Sequence, residues 1–185
     1  MTHVVFVATI AAFALGELGQ AFRRRRDATR VDVRAEALFR LVFFSGVAML
    51  PIGRTIAPGA VIGGGVPLFA LGAAAAWAGL LLRWWSFVSL GRYFTVVLAT
   101  DADQPVIDRG PYRVLRHPSY TGLLLIFIGL GVLVGNWVSA AGAVVLVLVA
   151  LLHRLRTEER ALIAALGDRY RDYAAGRARL IPFVW

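Results

Sequence analysis

Apolar residues gather in long blocks along this chain, and the polar residues collect between them. Val4 to Phe22 is the first block, broken only by Glu17, Gln20 and small residues. Leu38 to about Ile52 is a shorter second block, expected to end at Pro51 and lead into a loop with Gly and Pro through Gly65. A third, Val66 to Leu90, is rich in Ala and Gly and long enough to cross about 30 Å of hydrocarbon with tilt. Its run Ala73 to Ala76 suits close contact between helices. Tyr120 to Val134 and Trp137 to Leu152 are two further blocks separated by Gly135-Asn136, a link short enough to require an antiparallel helical hairpin. The pattern predicts an all-α polytopic membrane protein with about five spans, the last two forming that hairpin. Beyond it, His153 to Trp185 is expected to continue as helix, turn at Gly167 and again near Gly176, and end apolar.

Composition agrees with this reading. Of 185 residues, 59% are hydrophobic, against roughly 45–50% in soluble domains, and the spans consume nearly all of the length. One membrane domain is therefore expected, with 1–90 holding three N-terminal spans and 91–185 forming a second unit of function. The formal charge of +9 comes entirely from arginines on the basic side, since no lysine is present. Six of them lie between Arg23 and Arg34, four between Arg92 and Arg116 and seven between Arg154 and Arg179, whereas only Arg54 falls in the alternate loops. That asymmetry places the three basic regions in the cytosol, with the N-terminus outside and the C-terminus inside. Topology thus accounts for the arginines, and nucleic-acid binding is not expected. The first block lacks a basic leader and is followed at once by Arg23 to Arg26, which reads as a stop-transfer anchor rather than a signal peptide. Exclusive use of arginine points to a GC-rich bacterial genome, and hence to a bacterial plasma membrane.

Candidate chemistry sits in two polar blocks at the cytosolic ends of the last hairpin. The first is Arg109 to Gly122, RGPYRVLRHPSYTG; the second is Arg154 to Tyr173, which carries Glu158 and Glu159. Pro118 restricts His117 to extended geometry and begins a helix well, so the backbone N–H groups near Ser119 and Tyr120 form an anion site in the making. The alternative is that Arg113 and Arg116 merely meet lipid phosphates. Glu158 and Glu159 suit a cationic ligand such as an ammonium or a sulfonium, with a solvated helix face containing an Arg154–Glu158 pair as the alternative. Tyr112, Tyr120, Tyr170 and Tyr173 are interfacial anchors or aromatic partners for a cation or an adenine. Asp101, Asp103 and Asp108 read as solvated, and Glu17 is either functional or paired with Arg40 or Arg83. With no cysteine and three scattered histidines there is no thiolate nucleophile and no metal set; no Walker sequence or dinucleotide fingerprint occurs either. Gly131-x-x-x-Gly135 would permit a dimer, leaving the oligomeric state open.

The string G-P-Y-R-x-x-R-H-P-S-Y-x-G at Gly110 to Gly122, followed by R-T-E-E and L-x-x-x-x-G-D-x-Y-x-x-Y within Arg156 to Tyr173, resembles the isoprenylcysteine carboxyl methyltransferase family. Membrane phospholipid methyltransferases look similar. The resemblance covers roughly Gly91 to Pro182 and implies S-adenosylmethionine as cofactor, in a cytosolic pocket beneath the C-terminal helices, with a lipid-like or prenylated acceptor entering from the bilayer. It implies that His117, Pro118 and Tyr120 meet the methionine end of the cofactor, while Glu159 with Glu158 holds its ammonium and Tyr170 lies nearby. Val106, Gly110, Tyr112 and Leu115 of one loop, and Leu180 with Pro182 of the tail, would flank the adenine. Arg116 and Arg156 would orient an acceptor carboxylate, and Arg116, Arg156 and Glu159 are the candidate catalytic residues. Three alternatives stand beside O-methylation of a carboxylate: N-methylation of an amine, an NADPH-dependent membrane reductase akin to sterol reductases, and a non-catalytic lipid-binding scaffold.

Overall fold

The computed structural model describes residues 2–21, 33–91 and 105–182. Arg23 to Arg26, Arg92, Asp101, Asp103 and the last three residues lie outside them. Six α-helices are found among the described residues: α1 Thr2–Ala21, α2 Val33–Ile56, α3 Gly65–Leu90, α4 Pro118–Val134, α5 Trp137–Leu166 and α6 Asp168–Ala175, with a 3-10 turn at Gly110–Arg113. Three of them, spanning Arg34–Ile56, Gly65–Leu90 and Trp137–Leu166, are long and apolar enough to cross a membrane; Val4–Gly19 and Pro118–Val134 are apolar but shorter.

Two contacts between helices organise the bundle, and both depend on missing side chains. Across the antiparallel α3–α4 pair, Gly79 faces Gly122, and Gly72 faces Gly129 one heptad away. A Cβ on Gly79 would lie 2.5 Å from the Gly122 carbonyl oxygen, and one on Gly122 would lie 2.7 Å from the Gly79 carbonyl oxygen. The backbones touch there, which only small residues allow. The α2–α5 pair repeats the device, with Gly53 against the Ser139 backbone, Gly46 against Val147 and Gly142 against Met49. Between the pairs, Leu80, Ile126, Phe127, Val147 and Leu151 form a fully enclosed apolar core, while Val4, Leu41, Phe44, Leu71, Val88 and Val145 point outward.

The helix ends follow from local chemistry. Pro118 opens α4, where a missing N–H costs nothing, and Gly135 closes it in the left-handed region at φ 72°. Asn136 caps α5 by accepting the Ser139 N–H at 3.0 Å. Its side-chain amide donates to the Ala57 carbonyl at 2.7 Å, fastening the hairpin turn to the α2–α3 loop. One departure from expectation stands out. Pro51 does not end α2, which continues to Ile56, because Gly53 packs on α5 and holds the last turn in place. Gly131 packs on Ala140 within the hairpin, while Gly135 has nothing within 4 Å of an added methyl among the described residues. Helix α5 does run on past Leu152 to Leu166, and Gly167 and Gly176 bracket α6, as the sequence predicts.

Helix α6 folds back on the end of α5, where its Tyr170 and Tyr173 cluster with Leu166 against Val106, Leu162 and Ile163. The Tyr173 hydroxyl donates to the Tyr112 carbonyl at 2.9 Å. Burial disfavours the phenolate and pushes Tyr173 up to about 12, with the nearby Arg177 charge opposing.

Two outcomes test this architecture. Gly79→Leu and Gly122→Leu should each cost on the order of 1–3 kcal/mol by forcing α3 from α4, whereas Gly59→Ala, with nothing within 4 Å of the added methyl, should be neutral; thermal unfolding in detergent measures both. The raised Tyr173 pKa means that its contribution is complete below the ordinary value of 10.0 and is lost as pH rises through about 12. Melting temperature should therefore decline across that window, and Tyr173→Phe should decline less steeply; parallel curves would contradict it.

Candidate active site

Pairing at the end of the bundle opposite the Gly135-Asn136 turn brings the two polar blocks together. Antiparallel α4 and α5 bring the start of one beside residues 154–159 of the other. A third segment joins them: the Arg116 and His117 backbone N–H groups donate to the carbonyls of Ala178 and Arg179 at 2.8 and 3.1 Å, and the Thr121 hydroxyl donates to the Leu180 carbonyl at 2.7 Å. The chain after α6 is thereby strapped alongside the turn that precedes α4, burying Leu115 and Leu180.

Glu159 is the centre of this junction. Its Oε1 accepts from Arg116 at 2.7 Å and lies 3.4 Å from His117 Nε2, while its Oε2 accepts from Arg179 at 3.1 Å. Arg116 also donates from Nε to the Arg177 carbonyl at 3.0 Å. Glu158, one residue earlier, shares the His117 ring but turns to Tyr120 instead of the arginines. Its Oε2 accepts from the Tyr120 hydroxyl at 2.5 Å and lies 3.9 Å from His117 Nδ1, and Oε1 has no hydrogen-bond donor among the described residues. The His117 and Tyr120 rings stack at 5.4 Å with 4° between their planes. Tyr170 is buried with a hydroxyl that has no partner among the described residues, and burial together with the Glu159 and Glu158 charges holds that phenol well above its usual pKa. Tyr112 is raised in the same direction, chiefly by burial and then by Glu158.

Five expected residues, Arg116, His117, Tyr120, Glu158 and Glu159, thus form one contiguous cluster, with Tyr170 beside it. Pro118 is the first residue of α4, and Val106 packs on the Tyr170–Tyr173 cluster. Gly110 takes the left-handed conformation at φ 56°, where a Cβ would strike Ser89 and Trp85. Pro182 is partly covered. Arg156 is exposed, about 200° around α5 from Arg154 at ~100° per residue. The inward-facing arginine is Arg154, buried and donating from Nε to the Tyr120 hydroxyl at 3.1 Å and from NH1 to Glu36 of α2 at 2.9 Å. The Arg154–Glu158 pair is therefore bridged by Tyr120.

Other charges also find partners, among them one of the two expected for Glu17. Glu17 forms a two-pronged ion pair with Arg83 at 2.6 and 2.8 Å, and Arg83 reaches on to Ser119 of α4; Arg40 instead pairs with Glu36. Asp108, expected to be solvated, binds Arg177 at 2.6 Å while remaining half exposed. Arg154, Arg179, Glu36 and Thr121 went unnoticed as site-forming residues. Helical periodicity was signal enough for Arg154, which shares a face with Glu158; nothing local marks the other three.

Comparison with known proteins bears on these same elements. A profile of the isoprenylcysteine carboxyl methyltransferase (ICMT) family matches residues 72–164. Protein-S-isoprenylcysteine O-methyltransferase A of Arabidopsis thaliana is 33% identical over 108 residues, covering 57% of this chain and 55% of that protein. Methanethiol S-methyltransferase of Mycobacterium tuberculosis is 41% identical over 73 residues, 39% of this chain and 28% of that protein. The chain spans about half the length of the isoprenylcysteine relative and less of the other. A solved structure of the eukaryotic intramembrane Ras methyltransferase superposes with a TM-score of 0.69 at 19% identity, covering 97% of this chain and 67% of the other, which establishes a shared fold. Because the profile runs through the helices that carry His117, Tyr120, Glu158 and Glu159, the chain belongs to the isoprenylcysteine carboxyl methyltransferase family and is an integral membrane protein.

Proposed function

We propose that this chain is an S-adenosylmethionine-dependent methyltransferase acting on a lipid-like acceptor, with a carboxylate as the group methylated. The observation that carries the reading is the unshared oxygen of Glu158, set beside the stacked His117–Tyr120 rings and near the partnerless hydroxyl of Tyr170. A carboxylate oxygen without a donor, next to a buried phenol without a partner, suits an incoming group with several N–H donors. Five antiparallel spans, with the N-terminus outside and this site on the cytosolic side, fit the arginine distribution; α4 at 17 residues is short, with Ser119, Tyr120 and Thr121 in its first turn and an apolar run from Gly122 on. Residues 1–90 would then form the membrane scaffold and 91–185 the catalytic core, in a bacterial plasma membrane.

The residues fit the cofactor as a donor set. Glu158 is placed to take the ammonium, with Tyr120 and Tyr170 on either hand. Glu159 is already satisfied by Arg116, Arg179 and His117, so its part is to hold those side chains in place. The loop Val106 to Leu115 and the strap at Leu180 to Pro182 provide apolar walls for an adenine. Arg116 and the exposed Arg156 are candidates to align an acceptor carboxylate. Bound S-adenosylmethionine supplies a methyl on a sulfonium, a leaving group that departs as a neutral thioether. An acceptor carboxylate is ionised at neutral pH, so it would accept the methyl with no general base from the protein. Alignment and exclusion of water are what the protein must contribute, with proximity supplying roughly 7–11 kcal/mol.

A thiol acceptor is the second reading, favoured by the local 41% identity to the methanethiol enzyme. Thiol ionisation near about pH 8.5 separates the two: a thiol substrate gives a rate that climbs toward that pH, a carboxylate one that is flat above about pH 6.

Calorimetry on the detergent-purified protein tests the cofactor directly. S-adenosylmethionine and S-adenosylhomocysteine should bind and NADPH should not; NADPH alone binding would favour a reductase, and no binding a scaffold. Glu158→Gln should weaken cofactor binding about tenfold or more, as expected for losing a charged hydrogen-bond acceptor. Membranes incubated with a labelled methyl donor and a lipid extract should yield a base-labile methyl ester, and a thioether product would establish the thiol reading instead.

A further inference from the structure

Resting on the assignment of Glu158 to the cofactor ammonium, we propose that Arg154 is a positioning residue that dictates the direction of the Tyr120 hydrogen bond and thereby presents Glu158 to the ligand. The inference starts from an inventory of protons. A guanidinium has five N–H donors and no acceptor, and a phenol has one proton and lone pairs. Arg154 Nε meets the Tyr120 oxygen at 3.1 Å, so in that contact the hydroxyl can only accept. Its single proton is then committed to Glu158 Oε2 at 2.5 Å. Glu158 is pinned by one oxygen, and the other is left toward the ligand.

Arg154 cannot drift from this duty. Its NH1 is held by Glu36 of α2 at 2.9 Å, and its guanidinium carbon lies 4.5 Å from the centre of the Phe39 ring, also on α2. Glu36 is held in turn by Arg40 at 2.7 Å. The N-terminal end of α2, distant in sequence from both polar blocks, thus fixes the direction of a hydrogen bond inside the site. A side chain able to accept a hydrogen bond at position 154 would remove that constraint. The Tyr120 proton could turn to it, and Glu158 would lose its one hydrogen-bond donor among the described residues.

The test uses the polarity of the replacement. Arg154→Lys keeps a donor-only group, whereas Arg154→Gln offers an acceptor of similar reach. Calorimetric titration with S-adenosylhomocysteine should find the lysine variant within about threefold of the parent and the glutamine variant weaker by about tenfold or more. The same pair is then made with Tyr120→Phe, where no hydroxyl proton exists to be directed, and the difference between lysine and glutamine should disappear. Persistence of the difference without the hydroxyl, or equal affinities of the two single variants, would overturn the relay and leave Arg154 as packing alone. If either variant fails to fold, Glu36→Ala, which frees Arg154 without altering position 154, should weaken binding only while Tyr120 keeps its hydroxyl; an equal effect with and without the hydroxyl would also overturn the relay. Failure of the unsubstituted protein to bind S-adenosylhomocysteine is a separate result: it removes the cofactor assignment itself, and the relay with it.

Discussion

The cluster on Glu159 is the interaction on which the functional end of this molecule depends. A single carboxylate on α5 gathers Arg116 from the turn before α4, Arg179 from the strap after α6 and the His117 ring at the entrance to α4. An isolated charge at a membrane boundary is costly, and two guanidiniums forced together would repel; one shared carboxylate answers both problems. Because the three partners come from different stretches of chain, satisfying Glu159 also closes the tertiary structure around it. Removing that carboxylate would leave Arg116 and Arg179 without their common anion and loosen the strap, so loss of ligand binding in such a variant would carry a structural component. Glu158 is the cleaner probe of the site, since only Tyr120 leans on it by a hydrogen bond.

The backbone contacts of α3 with α4 and of α2 with α5 supply the rigidity this arrangement needs. Within lipid there is little hydrophobic force between helices, and close approach through glycine is one of the few ways to gain packing. Gly79 against Gly122 lies at the site end of α4, in the same turn as Tyr120 and Thr121. The same contact region brings Arg83 to Ser119, so the start of α4 is held from α3 by packing, by hydrogen bonds and, through Glu17, by α1. The stacked pair His117–Tyr120 inherits its position from those restraints.

Much of this was legible in the residues. Blocks of apolar sequence gave the helices, Gly135-Asn136 gave the hairpin, and Gly167 and Gly176 gave the turns around α6. Antiparallel pairing then put His117 and Tyr120 next to Glu158 and Glu159. What periodicity reported less well was which arginine faces inward: position 156 belongs to the resemblance, but position 154 shares the face of Glu158 one helical turn away. Pro51 misled because its local cost was weighed without the Gly53 contact that outweighs it. Glu36 with Arg154, and Thr121 with Leu180, were beyond reach. Their separations leave no periodic trace, and the choice among many arginines for one glutamate is made by three-dimensional placement.

The division of labour between the two adjacent glutamates follows from helix geometry. Consecutive residues on a helix diverge by about 100°, so side chains at 158 and 159 leave α5 in different directions and approach opposite nitrogens of the His117 ring. Glu159 turns toward the strap and the arginines that hold it; Glu158 turns toward Tyr120 and keeps an oxygen unspent. A carboxylate pair that looks redundant in sequence therefore separates into one group that builds the site and one that is left open to a ligand. The same angular step explains why Arg154, and not Arg156, reaches Tyr120: the face that carries Glu158 recurs four residues earlier, at the level where α2 supplies Glu36 to meet it.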